Sequence, residues 1–302
     1  IPMATDIAFA VGVVSLLGTR VSTSLKVFLL TLAIVDDIGA ILVIALFYTE
    51  KLSVGWLIVA IFVVFATSLL RAIKIWYMPV YVILGLVLWY AIFESGVHAT
   101  IAGVIMGLLA PARPLLDTDD EVEILKMQKI NEVESQSLRR LAFQIKETVP
   151  VTERLQNLLH PLTGFIILPL FALAYAGASL NAESIGDAFS SGVTQGIAMG
   201  LVVGKIVGIT VFTLLAVKMG LCVLPAGTTP RHVVGIASIA GIGFTVSMFI
   251  TGLAFDDRAL QDEAKIGILF ASLLAALIGT FVLYKSSKTE EDSANHETLE
   301  MI

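Results

Sequence analysis

Charge, cysteine and histidine are all scarce in this chain. Of its 302 residues 15% are charged, one is cysteine and four are histidine. The single Cys222 excludes a disulfide framework, and the histidines stand at no metal-ligand spacing, so no zinc site can be drawn. Nineteen Lys and Arg against 25 Asp and Glu leave a net charge of -6. That balance excludes a nucleic-acid partner, because phosphate binding needs a basic surface. There is no signal peptide, and the chain opens on Ile1 inside an apolar pattern, which reads as a piece whose N-terminal spans are missing. What is plentiful is apolar surface: 57% of residues are hydrophobic and the mean hydropathy is +0.92, far beyond a soluble domain of this length. An all-α polytopic membrane protein is expected.

Nine apolar segments follow in order: Ile1 to Gly18, Ser24 to Phe47, Val54 to Leu70, Met78 to Phe93, Val97 to Ala110, Thr152 to Gly177, Gln195 to Ala216, His232 to Phe255 and Asp262 to Tyr284. Basic residues concentrate in alternate loops, among them Arg20, Arg71, Arg139, Lys218, Arg231 and Lys285. The intervening loops carry only Lys51 and Arg258 beside several acids. The positive-inside rule then gives nine spans with a cytoplasmic C-terminus. The expected organisation is five spans in 1–110, a charged cytoplasmic insert at 111–151, four spans in 152–285 and a disordered acidic tail at 286–302. Within the insert Val122, Leu125, Ile130, Val133, Leu138, Leu141 and Ile145 recur at near-helical spacing, predicting an amphipathic helix.

The second segment holds Asp36 and Asp37 near its middle. A carboxylate at that depth costs about 3 kcal/mol or more unless a partner charge, a cation or water meets it. Two short helices meeting in a wet loop would explain the pair otherwise, but each half is too short to span and no Pro divides them. The other interior ionisable residues are Asp6, Lys205, Lys265 and His98. Lys265 is expected to snorkel from the end of its span, and His98 to be an interfacial, hydrogen-bonded histidine. Lys205, with apolar residues on both sides, needs a carboxylate partner or must lose its proton. Three acids and one lysine leave a net negative interior suited to a cation.

Two segments read as broken helices. The first has Pro2, then Thr5 and Asp6; the eighth has Gly241 and Gly243 flanking Ile242, with Thr245 following. Interrupted helices at matching places point to a transport site built from unwound backbone and half-helix ends. Asp6 suits the positive half-helix N-termini, and Lys205 the carbonyl-bearing C-terminal ends.

The motifs PMATDIAFAVG, LAIVDDIGAI, SGVHATIAGV, HPLTGFIILPLFALAYAG, GLVVGKIVGI and GIGFTVSMFI, in this order, closely resemble the bacterial NhaA-type Na+/H+ antiporters. The resemblance implies a bundle with inverted repeats and two broken, crossing helices, twelve spans in all, of which three precede this chain. It implies a transporter, not an enzyme, exchanging Na+ or Li+ for H+ in the bacterial inner membrane for sodium and pH homeostasis. No cofactor is implied; the partners are the ions, the lipid bilayer and a second copy in a homodimer whose contact lies largely in the absent region. Asp36 and Asp37 would hold Na+ and protons, Thr5 and Asp6 belong to the crossing, Lys205 pairs with Asp36 or balances dipoles, and His98 and His160 fall in regions tied to pH response. Gln156 and Asn157 depart from members with an acid and a histidine there, which leaves the pH set-point open.

Two other classes use similar residues. A Na+-coupled solute symporter shares broken helices and acids but needs a pocket for an organic substrate. An intramembrane aspartyl protease needs acids on separate spans with a Gly-x-Gly-Asp loop, where this chain has GIGF.

Overall fold

A computed structural model describes residues 1–47, 52–73, 77–112, 149–175, 177, 186 and 188–300, with the side chains of 19, 46 and 287–300 left aside. The amphipathic helix expected within the insert lies outside these residues. Every described regular element is helical. In hydrocarbon a backbone must satisfy its own hydrogen bonds, and a helix does so within one segment.

The helices are α1 (Ile7–Leu16), α2 (Thr23–Phe47), α3 (Val54–Ala72), α4 (Met78–Glu94) and α5 (Thr100–Leu109). After the insert come α6 (Val151–Tyr175), α7 (Gly192–Lys218), α8 (Pro230–Ile239), α9 (Phe244–Ala254) and α10 (Arg258–Glu300). Five of these, α2, α3, α6, α7 and α10, are individually long and apolar enough to cross a membrane, while α1, α4 and α5 are shorter. The pair α8 and α9 makes one broken span, bent by 51°. Wide π-turns interrupt α6 at Thr163–Ile167 and α7 at Gly200–Gly204.

Residues 286–300 continue α10 as helix. Extending an existing helix adds one hydrogen bond per residue fixed and avoids the nucleation cost, and no Gly or Pro stands after Gly279 to stop it.

Two units divide the chain: residues 1–40 with 168–302, and residues 41–167. The first has a core of Val14, Leu25, Leu29, Leu201, Ile236, Ile239, Met248 and Ile268. Small residues of α10 let its neighbours approach. A Cβ on Gly279 would lie 2.9 Å from the Gly235 carbonyl oxygen and 3.0 Å from the Ile239 nitrogen, so α8 and α10 meet backbone to backbone there. The second unit packs Ala60 and Val63 of α3 against Leu88, Ala91 and Ile92 of α4 and Ala102 of α5. On the far face of α3, Ile58, Phe62, Phe65 and Leu69 are exposed at helical spacing. An apolar face turned outward, opposite a buried one, is the arrangement a lipid solvent requires.

Candidate functional site

The site begins where two helices fail to continue. Pro2 to Asp6 run without helix, and Ala4, Thr5 and Asp6 are buried. Asp6 caps α1, its Oδ1 accepting from the Phe9 amide at 3.1 Å. In the second broken span, α8 ends at Ile239 and α9 starts at Phe244. Gly241 is needed in the break, because a Cβ would lie 2.9 Å from the Ser238 carbonyl oxygen and 3.2 Å from the Ala275 Cβ.

The two breaks cross and satisfy each other. The Asp6 amide donates to the Ile242 carbonyl at 2.7 Å. Gly243, the N-cap of α9, has no side chain to cap with. The cap comes from the other break: Asp6 Oδ2 accepts from the Thr245 amide at 3.0 Å and from Thr245 Oγ1 at 2.5 Å. One carboxylate therefore sits between the positive ends of α1 and α9. Ser272 Oγ accepts from the Phe244 amide at 3.2 Å and covers the next orphan donor.

At the opposite polarity stands Lys205, 8% exposed and just beyond the π-turn of α7. Its Nζ donates to Asp36 Oδ2 at 2.9 Å, to Thr5 Oγ1 at 2.5 Å and to the Ala240 carbonyl at 3.1 Å. Ala240 is the C-cap of α8, so the lysine meets both a carboxylate and the negative end of a half-helix. Thr5 Oγ1 also lies 3.1 Å from Asp36 Oδ2 and 2.9 Å from the Ala240 oxygen, and its single hydrogen serves one of them at a time.

Asp37 is treated differently. Its Oδ1 is buried and has no hydrogen-bond partner among the described residues. Adjacent helical residues point about 100° apart, and the hydrogen bonds of the lysine go to Asp36, Thr5 and Ala240. A cavity of about 470 Å³ opens onto Asp36 and Lys205, walled by Leu32, Gly204, Gly208 and Phe212. Gly200 also lines it; a Cβ there would come within 2.7 Å of Pro2.

The cluster lies wholly in the unit of residues 1–40 and 168–302; the two histidines singled out for pH response belong to the other. His98 precedes α5, with Nδ1 2.9 Å from Thr100 Oγ1. His160 is exposed on α6 immediately before Pro161. Lys265 donates to the Gly177 carbonyl at 3.0 Å and lies 3.6 Å from Asp262, as suits a lysine at a helix end. Reading the sequence missed Ala240, Ile242 and Ser272. The first two act through carbonyls, which no side-chain pattern announces, and Ser272 is one serine among many until α10 is placed beside the break.

Comparison with known proteins gives this geometry a family. A model described as Na+/H+ antiporter 1 matches residues 1–283. The Na(+)/H(+) antiporter NhaA 3 of Frankia alni is 47% identical over 286 residues, covering 94% of this chain and 61% of the relative. The Na(+)/H(+) antiporter NhaA of Syntrophobacter fumaroxidans is 43% identical over 302 residues, covering 94% and 64%, and that of Helicobacter pylori strain P12 is 40% identical over 300 residues, covering 95% and 68%. The chain thus spans 61% to 68% of the length of these relatives. With the family model matched along nearly its whole length and the two broken helices crossing at Asp6, this chain belongs to the Na+/H+ antiporter 1 family.

Proposed function

We propose that these residues carry the exchange site of a secondary transporter that swaps Na+ or Li+ for H+ across the bacterial inner membrane. The observation that carries the reading is Asp37 Oδ1, buried and unpartnered one residue from an Asp36 already engaged by Lys205. Charges in the cluster balance except for one. Asp6 is held by two helix N-termini, Asp36 and Lys205 neutralise each other, and Asp37 is left over. An uncompensated carboxylate at membrane depth is costly, and either a proton or a Na+ removes the charge. A site that moves between the two membrane faces only when neutral then exchanges one ion for the other, because both compete for Asp37.

Within this reading Asp36, Thr5 and Lys205 tune the site. Asp6 holds the crossing, since both its oxygens are already occupied by donors. Among the described residues that line the cavity the charged ones, Asp36 and Lys205, are spent on each other, which favours an ion over the organic substrate of a symporter. The alternation of basic loops supports a C-terminus on the cytoplasmic side.

The test is calorimetry on the protein at its full natural length, in two buffers of different ionisation enthalpy. Na+ binding should release protons, and apparent Na+ affinity should fall about tenfold per pH unit once the site is mostly protonated. Asp37→Asn should lose both proton release and transport, while Asp36→Asn keeps some exchange with altered charge movement. Na+ binding without proton release, across the pH range where affinity changes, would rule out a shared site.

A further inference from the structure

A second feature of the same unit is a groove between α8 and α10, at the end of the molecule away from the Asp6 crossing along α8. It has a volume of about 440 Å³ and is lined by Arg231, Val234, Phe281, Val282, Lys285 and Ser286. Two cations stand at its mouth and three apolar side chains form its walls. Among the described residues, none that lines the groove is acidic. A third cation, Arg20, has its guanidinium 4.2 Å from the centre of the ring of Tyr284, the residue before Lys285. That stack fixes a positive charge one residue from Lys285, where an interfacial tyrosine is also at home.

Away from the cations the groove leads onto an apolar track. Phe270, Leu273, Leu274, Leu277 and Phe281 are all exposed on α10, at the spacing of one helix face. From residue 270 to residue 285 a helix rises about 22 Å. One leaflet of hydrocarbon is about 15 Å deep, so the track is long enough to accompany an acyl chain through its leaflet. Cations at one end of an apolar groove match a molecule with a phosphate at one end and hydrocarbon below it. Basic pockets between membrane helices recognise anionic headgroups in this way, and Arg adds a fork that fits two phosphate oxygens.

We propose that this groove is a binding site for an anionic phospholipid, with the headgroup phosphate between Arg231 and Lys285 and an acyl chain laid against Val234, Val282 and Phe281. The ion-exchange reading is not needed for it; only the membrane setting is. Because the C-cap of α8 is Ala240, whose carbonyl accepts from Lys205, a lipid held there packs against the helix that ends in the exchange site.

The experiment is native mass spectrometry and thermal unfolding of the detergent-purified protein at its full natural length, with phosphatidylglycerol or phosphatidylcholine at equal concentration. The parent should retain phosphatidylglycerol over phosphatidylcholine by roughly tenfold or more, two membrane-facing cations being worth that much. Arg231→Gln with Lys285→Gln should abolish the preference, and the charge-preserving Arg231→Lys with Lys285→Arg should keep it. Val234→Trp, which fills the groove and leaves both cations, should reduce phosphatidylglycerol retention. Equal retention of the two lipids by the parent would overturn the proposal, as would a preference that survives the double Gln variant. Inorganic phosphate that raised the melting temperature as much as phosphatidylglycerol would identify a soluble-anion site and overturn it too.

Discussion

Replacing Lys205 by Ala tests the balance of charge and hydrogen bonds on which the crossing rests. In the parent, Nζ supplies hydrogens to Asp36 Oδ2, Thr5 Oγ1 and the Ala240 oxygen at once. With the lysine gone, the Thr5 hydroxyl has one hydrogen for two waiting acceptors. If it turns to Ala240, 2.9 Å away, Asp36 Oδ2 stands as a largely buried charge with no donor. If it turns to Asp36, the α8 C-cap carbonyl is orphaned. Breaking a buried ion pair by removing one partner costs about 3 to 5 kcal/mol. Asp36 is 21% exposed, which favours the lower end, about 3 kcal/mol. At about 2 to 4 °C per kcal/mol for a chain of this size, the melting temperature should fall by about 6 to 12 °C near neutral pH. The penalty is that of a buried carboxylate, so protonating Asp36 removes it. The gap between parent and variant should therefore close as pH falls and stay open as pH rises. Thermal unfolding of both proteins in detergent from pH 5 to pH 9 measures this. Equal melting temperatures at every pH, or a gap that widens in acid, would refute the pairing of Lys205 with Asp36 as a stabilising contact.

Asp6→Asn keeps the shape but gives one of the two helix amides, Phe9 or Thr245, an NH2 group in place of an acceptor; a lost cap and a weaker charge–dipole interaction together should cost about 2 kcal/mol, read as a lower melting temperature. Gly279→Ala forces a methyl group against the backbone of Gly235 and Ile239 and should cost about 1 to 3 kcal/mol as α8 and α10 separate. Gly196→Ala, also in a helix but with nothing within 4 Å of the new Cβ, should stabilise by about 0.5 to 1 kcal/mol, so the two variants should shift the melting temperature in opposite directions. In everted vesicles Asp37→Asn should show no Na+-dependent proton flux at any pH, and flux above the vesicle background would remove Asp37 from the exchange site.

Much of this was legible in the chain because membrane helices solve their backbone problem locally. Apolarity is enough to announce a membrane helix, and each of the nine apolar segments carries helix in the structure, although α1, α4 and α5 are shorter than a span. Expense made the polar residues legible too: Asp6, Asp36, Asp37 and Lys205 stand out because a charge in an apolar run needs a reason. Gly241 and Gly243 marked the second break, and Pro2 with Asp6 the first. Pairing is what the sequence by itself left undecided. Asp36 and Asp37 are chemically identical neighbours, and only the position of α7, with its π-turn ahead of Lys205, makes one an ion-pair partner and leaves the other with a buried oxygen, Oδ1, that no described residue meets. Likewise Gly243 needed a cap it could not provide, and the residue that supplies it lies 237 positions away in the chain, at Asp6. Local chemistry sets which groups need a partner, but which partner arrives depends on where other helices end, and that is a property of the packed bundle.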